Sequence, residues 1–166
     1  LIVTGGHVGT HVDALAHVSH EGRLHGGIPV EEAFYNGRFH RHGIDEMKPV
    51  ITRGLFLDIP RARGVDVLAA GEPIETADLQ AACELIGAEP EPGDAVIIRS
   101  GWGRHFEGDH NAYLGQVHGV PGPTASAAQW LADRQIVVTG ADSTAYEHIP
   151  AGKGHSVLPA HKVLLV

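Results

Sequence analysis

The 166-residue sequence contains a single cysteine, Cys83, which excludes an internal disulfide framework and fits a reducing compartment. Basic residues are scarce: 12 Lys and Arg stand against 20 Asp and Glu, for a formal charge of −8. With no basic stripe to track a phosphate backbone, nucleic acid is not an expected partner. Long hydrophobic runs are missing as well. Runs such as residues 95–98 and 163–166 fall far short of the roughly 20 apolar residues that span a bilayer, so a soluble protein with no membrane attachment is expected. No charged, apolar, small-residue leader opens the chain, and a cytoplasmic location is expected. The 43% hydrophobic content is too high for a disordered chain. The length suits one domain, residues 1–166, with a sizeable core. Both ends fall inside apolar runs, so this domain is expected to be a fragment cut through secondary-structure elements at each end.

What the sequence has in excess is histidine: 13 in all, with His7, His11, His17, His20 and His25 crowded into the first 25 residues. Such clustering invites a metal reading. Further along, residues 49–59 (PVITRGLFLDI) carry β-branched and apolar residues ahead of Pro60, as a core strand does. In ADLQAACELIGA, Leu79, Ala82, Cys83 and Ile86 recur at helical spacing, predicting a helix capped by Thr76 and ended near Gly87. Pro90, Pro92, Gly93 and Asp94 form a turn into AVIIRS, a short apolar run that reads as a strand buried on both faces. The GVPGP segment is expected to be irregular, with Thr124 capping a helix that leads into a strand, IVVTG, at Ile136. Strands alternating with helices predict an α/β fold with some parallel pairing, whereas the Gly- and His-rich first half reads as site and loops. Cys83 and Trp130 read as core residues.

Chemistry concentrates in residues 6–17, GHVGTHVDALAH, which bring His7, His11, Asp13 and His17 within eleven residues. A straight strand would separate His7 from Asp13 by about 20 Å, at roughly 3.3 Å per residue, too far to share an ion. A bend at Gly9-Thr10 would fold His7 back beside His11 and Asp13. Beyond it ALAH has helical character, so Asp13 and His17 are expected to share one face. Two imidazoles and a carboxylate leave open positions on a divalent ion, as catalytic sites do. A nearby histidine whose ordinary pKa is about 6.5 can move protons at neutral pH, and this inventory suits hydrolysis. Single histidines in loops are more often solvated or satisfied in a core. No such role explains placing His7, His11 and Asp13 around one Gly-Thr bend. His20, His25, His40, His42, His105, His110, His118 and His148 lie in no motif and read as surface or supporting residues. A different chemistry stays open: His11-Val12-Asp13 is also the H-x-D half of an Fe(II) facial triad, with His155 or His161 as the distant partner, although that reading leaves His7 unused. A third is a metal-binding module without activity.

HVGTHVDALAH resembles the H-x-G-T-H-x-D-x-x-x-H signature of the metal-dependent cyclase family, which includes bacterial kynurenine formamidases and isatin hydrolases. ITRGLFLDI, PGDAVIIRSGWG, GVPGP, VVTGADS and LPAHKVLLV follow in that family's order and approximate spacing, covering nearly the whole chain. The resemblance implies a swivelling β/β/α fold, a mixed sheet with helices, and an oligomer of at least two copies. It also implies bound Zn²⁺ or Mn²⁺ and hydrolysis of an amide bond in a small substrate. By the same carry-over His7, His11 and Asp13 are metal ligands and His17 is the general acid/base. His161 matches the distal histidine that completes the site or binds a second metal, and Trp102 matches a position near the pocket where core packing is an equal alternative. The family's glutamate after this stretch falls beyond Val166. Leu15 stands where formamidases have proline, and the long segment after His17 is similar to the isatin hydrolase branch, which points to a cyclic amide.

Overall fold

A computed structural model describes residue 1 and residues 3–5, 7–154 and 158–166. The chain forms two compact units, Leu1–Pro49 with Leu165–Val166, and Val50–Leu164.

The first unit is made of short pieces, as expected from its lack of any long periodic segment. Strands β1 (Arg23–Leu24) and β2 (Ile28–Pro29) pair antiparallel and lead into helix α1 (Val30–Ala33). A hairpin of β3 (Phe34–Tyr35) and β4 (Arg38–Phe39) follows. Its turn is Asn36-Gly37, with φ of 54° and 75°, the left-handed pair that a two-residue hairpin turn requires. A small core of Ala16, Leu24 and Ala33, flanked by Ile28 and Val30, holds these pieces together.

The second unit alternates strand and helix. Its elements are β5 (Gly54–Asp58), α2 (Ile59–Arg63), β6 (Pro73–Ile74), α3 (Thr76–Ile86), β7 (Ala95–Arg99), α4 (His105–Gly108), α5 (His110–Leu114), β8 (Gly122–Pro123), α6 (Ala125–Asp133), β9 (Val138–Ala141) and α7 (Pro159–Leu165). Strands β5, β7 and β9 form a parallel sheet with β7 in the middle. Leu55 and Leu57 on β5 and their partners Val96 and Ile98 on β7 enter one core with Leu79, Ala82 and Cys83 of α3 and Ala127, Trp130 and Leu131 of α6. The protein is thus a mixed α/β structure with parallel and antiparallel sheets. Cys83 lies in this core, where burial pushes its thiol up to about 11, leaving it inert as a nucleophile. Trp130 lies in it too, with the Arg134 guanidinium 3.6 Å above its ring.

Four local expectations are corrected. The strand expected over residues 49–59 is confined to β5, because Asp58 accepts the Arg61 N–H at 3.1 Å and so caps α2, with Pro60 in that helix's first turn. Thr76 does not cap α3; Glu75 does, in a reciprocal box with Asp78. The AVIIRS strand is not buried on both faces, since Val96 and Ile98 are enclosed while Ile97 is 42% exposed. Nor is GVPGP wholly irregular: Gly122 donates to Glu72 O at 3.4 Å and Thr124 to Ile74 O at 3.0 Å, so β8 pairs with β6 while Pro123 occupies the position that needs no donor.

The turn before β7 is fastened by Asp94, whose carboxylate meets Arg53 Nε at 3.0 Å and Nη2 at 2.5 Å and the Glu91 N–H at 2.8 Å. The Arg53 guanidinium, helped by that N–H, holds the Asp94 carboxyl below the usual carboxylate range. A lowered folded-state pKa adds stability that is present above the unfolded value of about 3.9 and lost as pH falls through the folded one. Asp94→Asn is therefore expected to be less stable at neutral pH and to lose less further stability below about pH 4 than the parent. Denaturant unfolding at several pH values checks this; parallel acid profiles would refute it.

Candidate functional site

His7, His11, Asp13 and His17 come together in the first unit without any helix. Residues 7–17 are turns, bends and irregular backbone. Gly9 lies outside the left-handed region, so the bend that returns His7 to His11 is made at ordinary φ. The helix expected over ALAH is a single turn, closed by His17 N–H donating to Ala14 O at 2.9 Å. That turn is enough to bring His17 Nδ1 to 3.6 Å from Asp13 Oδ1. Ala16 anchors it: the side chain is buried with Leu24 and Ala33, and the N–H donates to His42 O at 3.1 Å. His42 is held in turn, at φ 60°, by its own N–H on Glu46 at 2.7 Å and its ring Nε2 against His25 O at 3.1 Å. No sequence motif singled out His42, because its contribution is made by its backbone carbonyl.

The geometry fixes which atoms converge. His11 Nδ1 lies 2.7 Å from the carbonyl oxygen of Gly9, and since a carbonyl only accepts, Nδ1 carries the proton. The lone pair is therefore on Nε2, which faces His7 Nδ1 at 2.9 Å and Asp13 Oδ1 at 3.5 Å. Two bonds of about 2.1 Å at a tetrahedral ion hold their donor atoms about 3.4 Å apart, so this spacing suits a first-row divalent ion. His7, His11 and Asp13 each offer one ligand atom, all within 4.8 Å of one another. The carbonyl behind His11 orients the ring as outer partners of metal-bound histidines do. The donor set fits a metal and leaves room for water or substrate. The His7 and His17 rings lie 5.2 Å apart, centre to centre.

His161 and Trp102 belong to the second unit. Trp102 is 5% exposed, packs with Val120 and Ile149 and donates its indole N–H to Tyr113 O at 3.1 Å, which are the surroundings of a core residue. The loop carrying it hangs from Asp142, which accepts the Ser100 N–H and hydroxyl at 2.7 and 2.6 Å and the Gly101 N–H at 2.9 Å. His161, on α7, is 9% exposed, with Nδ1 2.5 Å from Oε2 of Glu147. Glu147 is fully buried and the sequence reading passed over it, since TAYEHIP has no periodicity or ligand spacing to mark it. His155, the other candidate for a facial triad, lies outside the described residues.

The comparisons agree with this fold. The cyclase family model matches residues 1–148, and the chain belongs to that family. Among solved structures it is similar to a novel cyclase, with a TM-score of 0.77 and 26% identity over 90% of this chain and 49% of that one. It is also similar to an isatin hydrolase bound to the product analogue thioisatinate, with a TM-score of 0.53 and 28% identity over 69% of this chain and 43% of that one. Isatin hydrolase A from Ralstonia solanacearum shares the fold at a TM-score of 0.57 and 22% identity, over 74% of this chain and 47% of that one. The chain therefore spans about half the length of the solved structures it matches. No curated protein matches it. No helix among the described residues is long and apolar enough to cross a membrane.

The segment bearing Glu147 is closely packed against glycine. A Cβ on Gly122 would come within 2.4 Å of the Glu147 carbonyl carbon and the Tyr146 oxygen, both backbone atoms that cannot swing away. Gly122→Ala is expected to cost about 1–3 kcal/mol of stability, measured by urea unfolding, as overpacking does. Unchanged stability would show that this approach is not rigid.

Proposed function

We propose that the protein is a metal-dependent hydrolase that cleaves the carbon–nitrogen bond of a small amide, a cyclic amide such as isatin before an N-formyl aryl amine. The convergence of His7, His11 and Asp13, with His17 beside the carboxylate, carries this reading, and membership of the cyclase family supports it. The likeness to the isatin hydrolase bound to thioisatinate, together with Leu15 and the long segment after His17, favours the cyclic substrate. His7, His11 and Asp13 hold Mn²⁺ or Zn²⁺, and the family resemblance adds His161 as a distal ligand and Trp102 as a residue near the pocket. The working protein is a cytoplasmic homo-oligomer built on one cyclase-type domain.

A divalent ion held by these residues lowers the pKa of water and polarises the amide carbonyl. His17 is the general base. Its Nδ1 faces Asp13 Oδ1 at 3.6 Å, and this carboxylate keeps the ring oriented and stabilises the imidazolium that forms. Nε2 takes a proton from the attacking water, whose oxygen bonds to the carbonyl carbon. The carbon–nitrogen bond then breaks, and the same proton returns to the leaving nitrogen, giving an amine and a carboxylic acid, which releases the second proton of the water to solvent and becomes the carboxylate.

An Fe(II) oxygenase would use His11 and Asp13 and leave His7 idle, whereas His7 Nδ1 stands 2.9 Å from His11 Nε2. Elemental analysis followed by turnover of isatin with and without oxygen separates the two: Mn or Zn with oxygen-independent ring opening is expected, and iron with oxygen-dependent turnover would overturn the hydrolase reading. His17→Ala should keep its metal and lose about 10²–10⁴-fold in turnover, whereas His11→Ala should lose metal and activity together. Near-parental turnover in the first variant would remove His17 from the mechanism, and full occupancy in the second would contradict its role as a ligand.

A further inference from the structure

We propose that Glu147 is a positioning residue that holds the His161 imidazole with its proton on Nδ1 and its lone pair on Nε2. The carboxylate of Glu147 is fully enclosed. Its Oε2 lies 2.5 Å from His161 Nδ1 and accepts the backbone N–H of the same residue at 3.0 Å, while Oε1 accepts the Ala160 N–H at 3.4 Å. A carboxylate oxygen accepts, so the nitrogen facing it carries a proton, and in the neutral ring this puts the lone pair on Nε2.

The backbone around Glu147 is arranged for this contact. Tyr146 stands at φ 64°, a conformation that a bulky non-glycine residue rarely adopts. It is held by its hydroxyl on Thr139 Oγ1 at 3.0 Å, with its ring edge-on to His161 at 6.3 Å between centres. Gly122 passes so close behind residues 146 and 147 that no side chain fits there. A carboxylate serving only to cap α7 would need to meet backbone N–H groups alone. Glu147 instead spends one oxygen on an imidazole as well, the arrangement that fixes the tautomer of working histidines. The consequence for metal binding rests on the reading of His161 as a distal ligand; the tautomer itself does not.

The test uses the full chain labelled with ¹⁵N-histidine, with and without zinc, and long-range ¹H–¹⁵N correlation spectra in which His161→Gln identifies the His161 signals. Wild type is expected to show a protonated Nδ1 and an unprotonated Nε2 in both states. A His161 ring protonated on Nε2 in wild type, whether alone or together with Nδ1, overturns the proposal before any Glu147 variant is made. Glu147→Ala should mix the tautomers, and Glu147→Gln, which keeps an acceptor oxygen, should restore Nδ1–H. Mixing confined to Glu147→Ala supports the proposal. An unchanged His161 signature in Glu147→Ala, with only the melting temperature lowered, reduces Glu147 to a helix cap and overturns it. Zinc titration separates this from the functional reading: Glu147→Ala should weaken zinc binding about 10–100-fold. If His161→Ala leaves zinc affinity unchanged, the assignment of His161 as a ligand fails while the tautomer result still decides the role of Glu147.

Discussion

The hydrogen bond from Nδ1 of His11 to the carbonyl of Gly9 decides which nitrogen of that ring is available, and the rest of the cluster is arranged around that choice. With Nδ1 committed at 2.7 Å, Nε2 is aimed at His7 and Asp13, and Asp13 is shared with His17. None of these four side chains sits on a regular element. The order of residues 7–17 comes from short-range backbone bonds and from Ala16, whose small side chain is buried and whose N–H donates to the carbonyl of His42. A longer side chain than alanine at residue 16 would have to find room beside Leu24 and Ala33, so the smallness of that position is part of the site.

The second unit solves a similar problem with carboxylates. Asp58, Asp94, Asp142 and Glu147 each accept backbone N–H groups at the end of an element or in the loop beyond it. Glu72 and Asp78 share the guanidinium of Arg63, tying the segment before α3 to its first turn. This gives a use for much of the acidic excess: carboxylates accept the donors that turns leave unpaired, and most sit where a guanidinium or imidazole is also present.

The legible parts of the sequence were those in which a residue type has one physical use. Gly87 ends α3 in the left-handed conformation and Thr124 caps α6, as expected, because glycine and threonine at those positions do little else. The Asn36-Gly37 hairpin carried an equally clear signal that went unread among the histidines. The cap of α3 was misplaced by one residue because Glu75 and Asp78 form a box that a search for threonine overlooks. His7, His11 and Asp13 could be grouped from their spacing, since residues so near in sequence need only one bend to meet, here made at ordinary φ. Glu147 could not: its meaning depends on α7 arriving from 14 positions further along the chain. No local pattern records such a meeting.

Strand β7 pairs with β5 on one side and β9 on the other, whereas those two strands have no further strand beside them among the described residues. Its amides are thus enclosed within the ladder, and Val96 and Ile98 add burial on the core face. Strands enclosed in this way belong to the part of a fold that opens last. The Ser100–Gly101 corner, suspended from Asp142 just beyond β9, follows directly from β7 and is fastened to the same sheet. Trp102 follows that corner, with its backbone N–H on Ser100 Oγ at 3.2 Å, and so ties the end of β7 to Tyr113 of α5 through its indole.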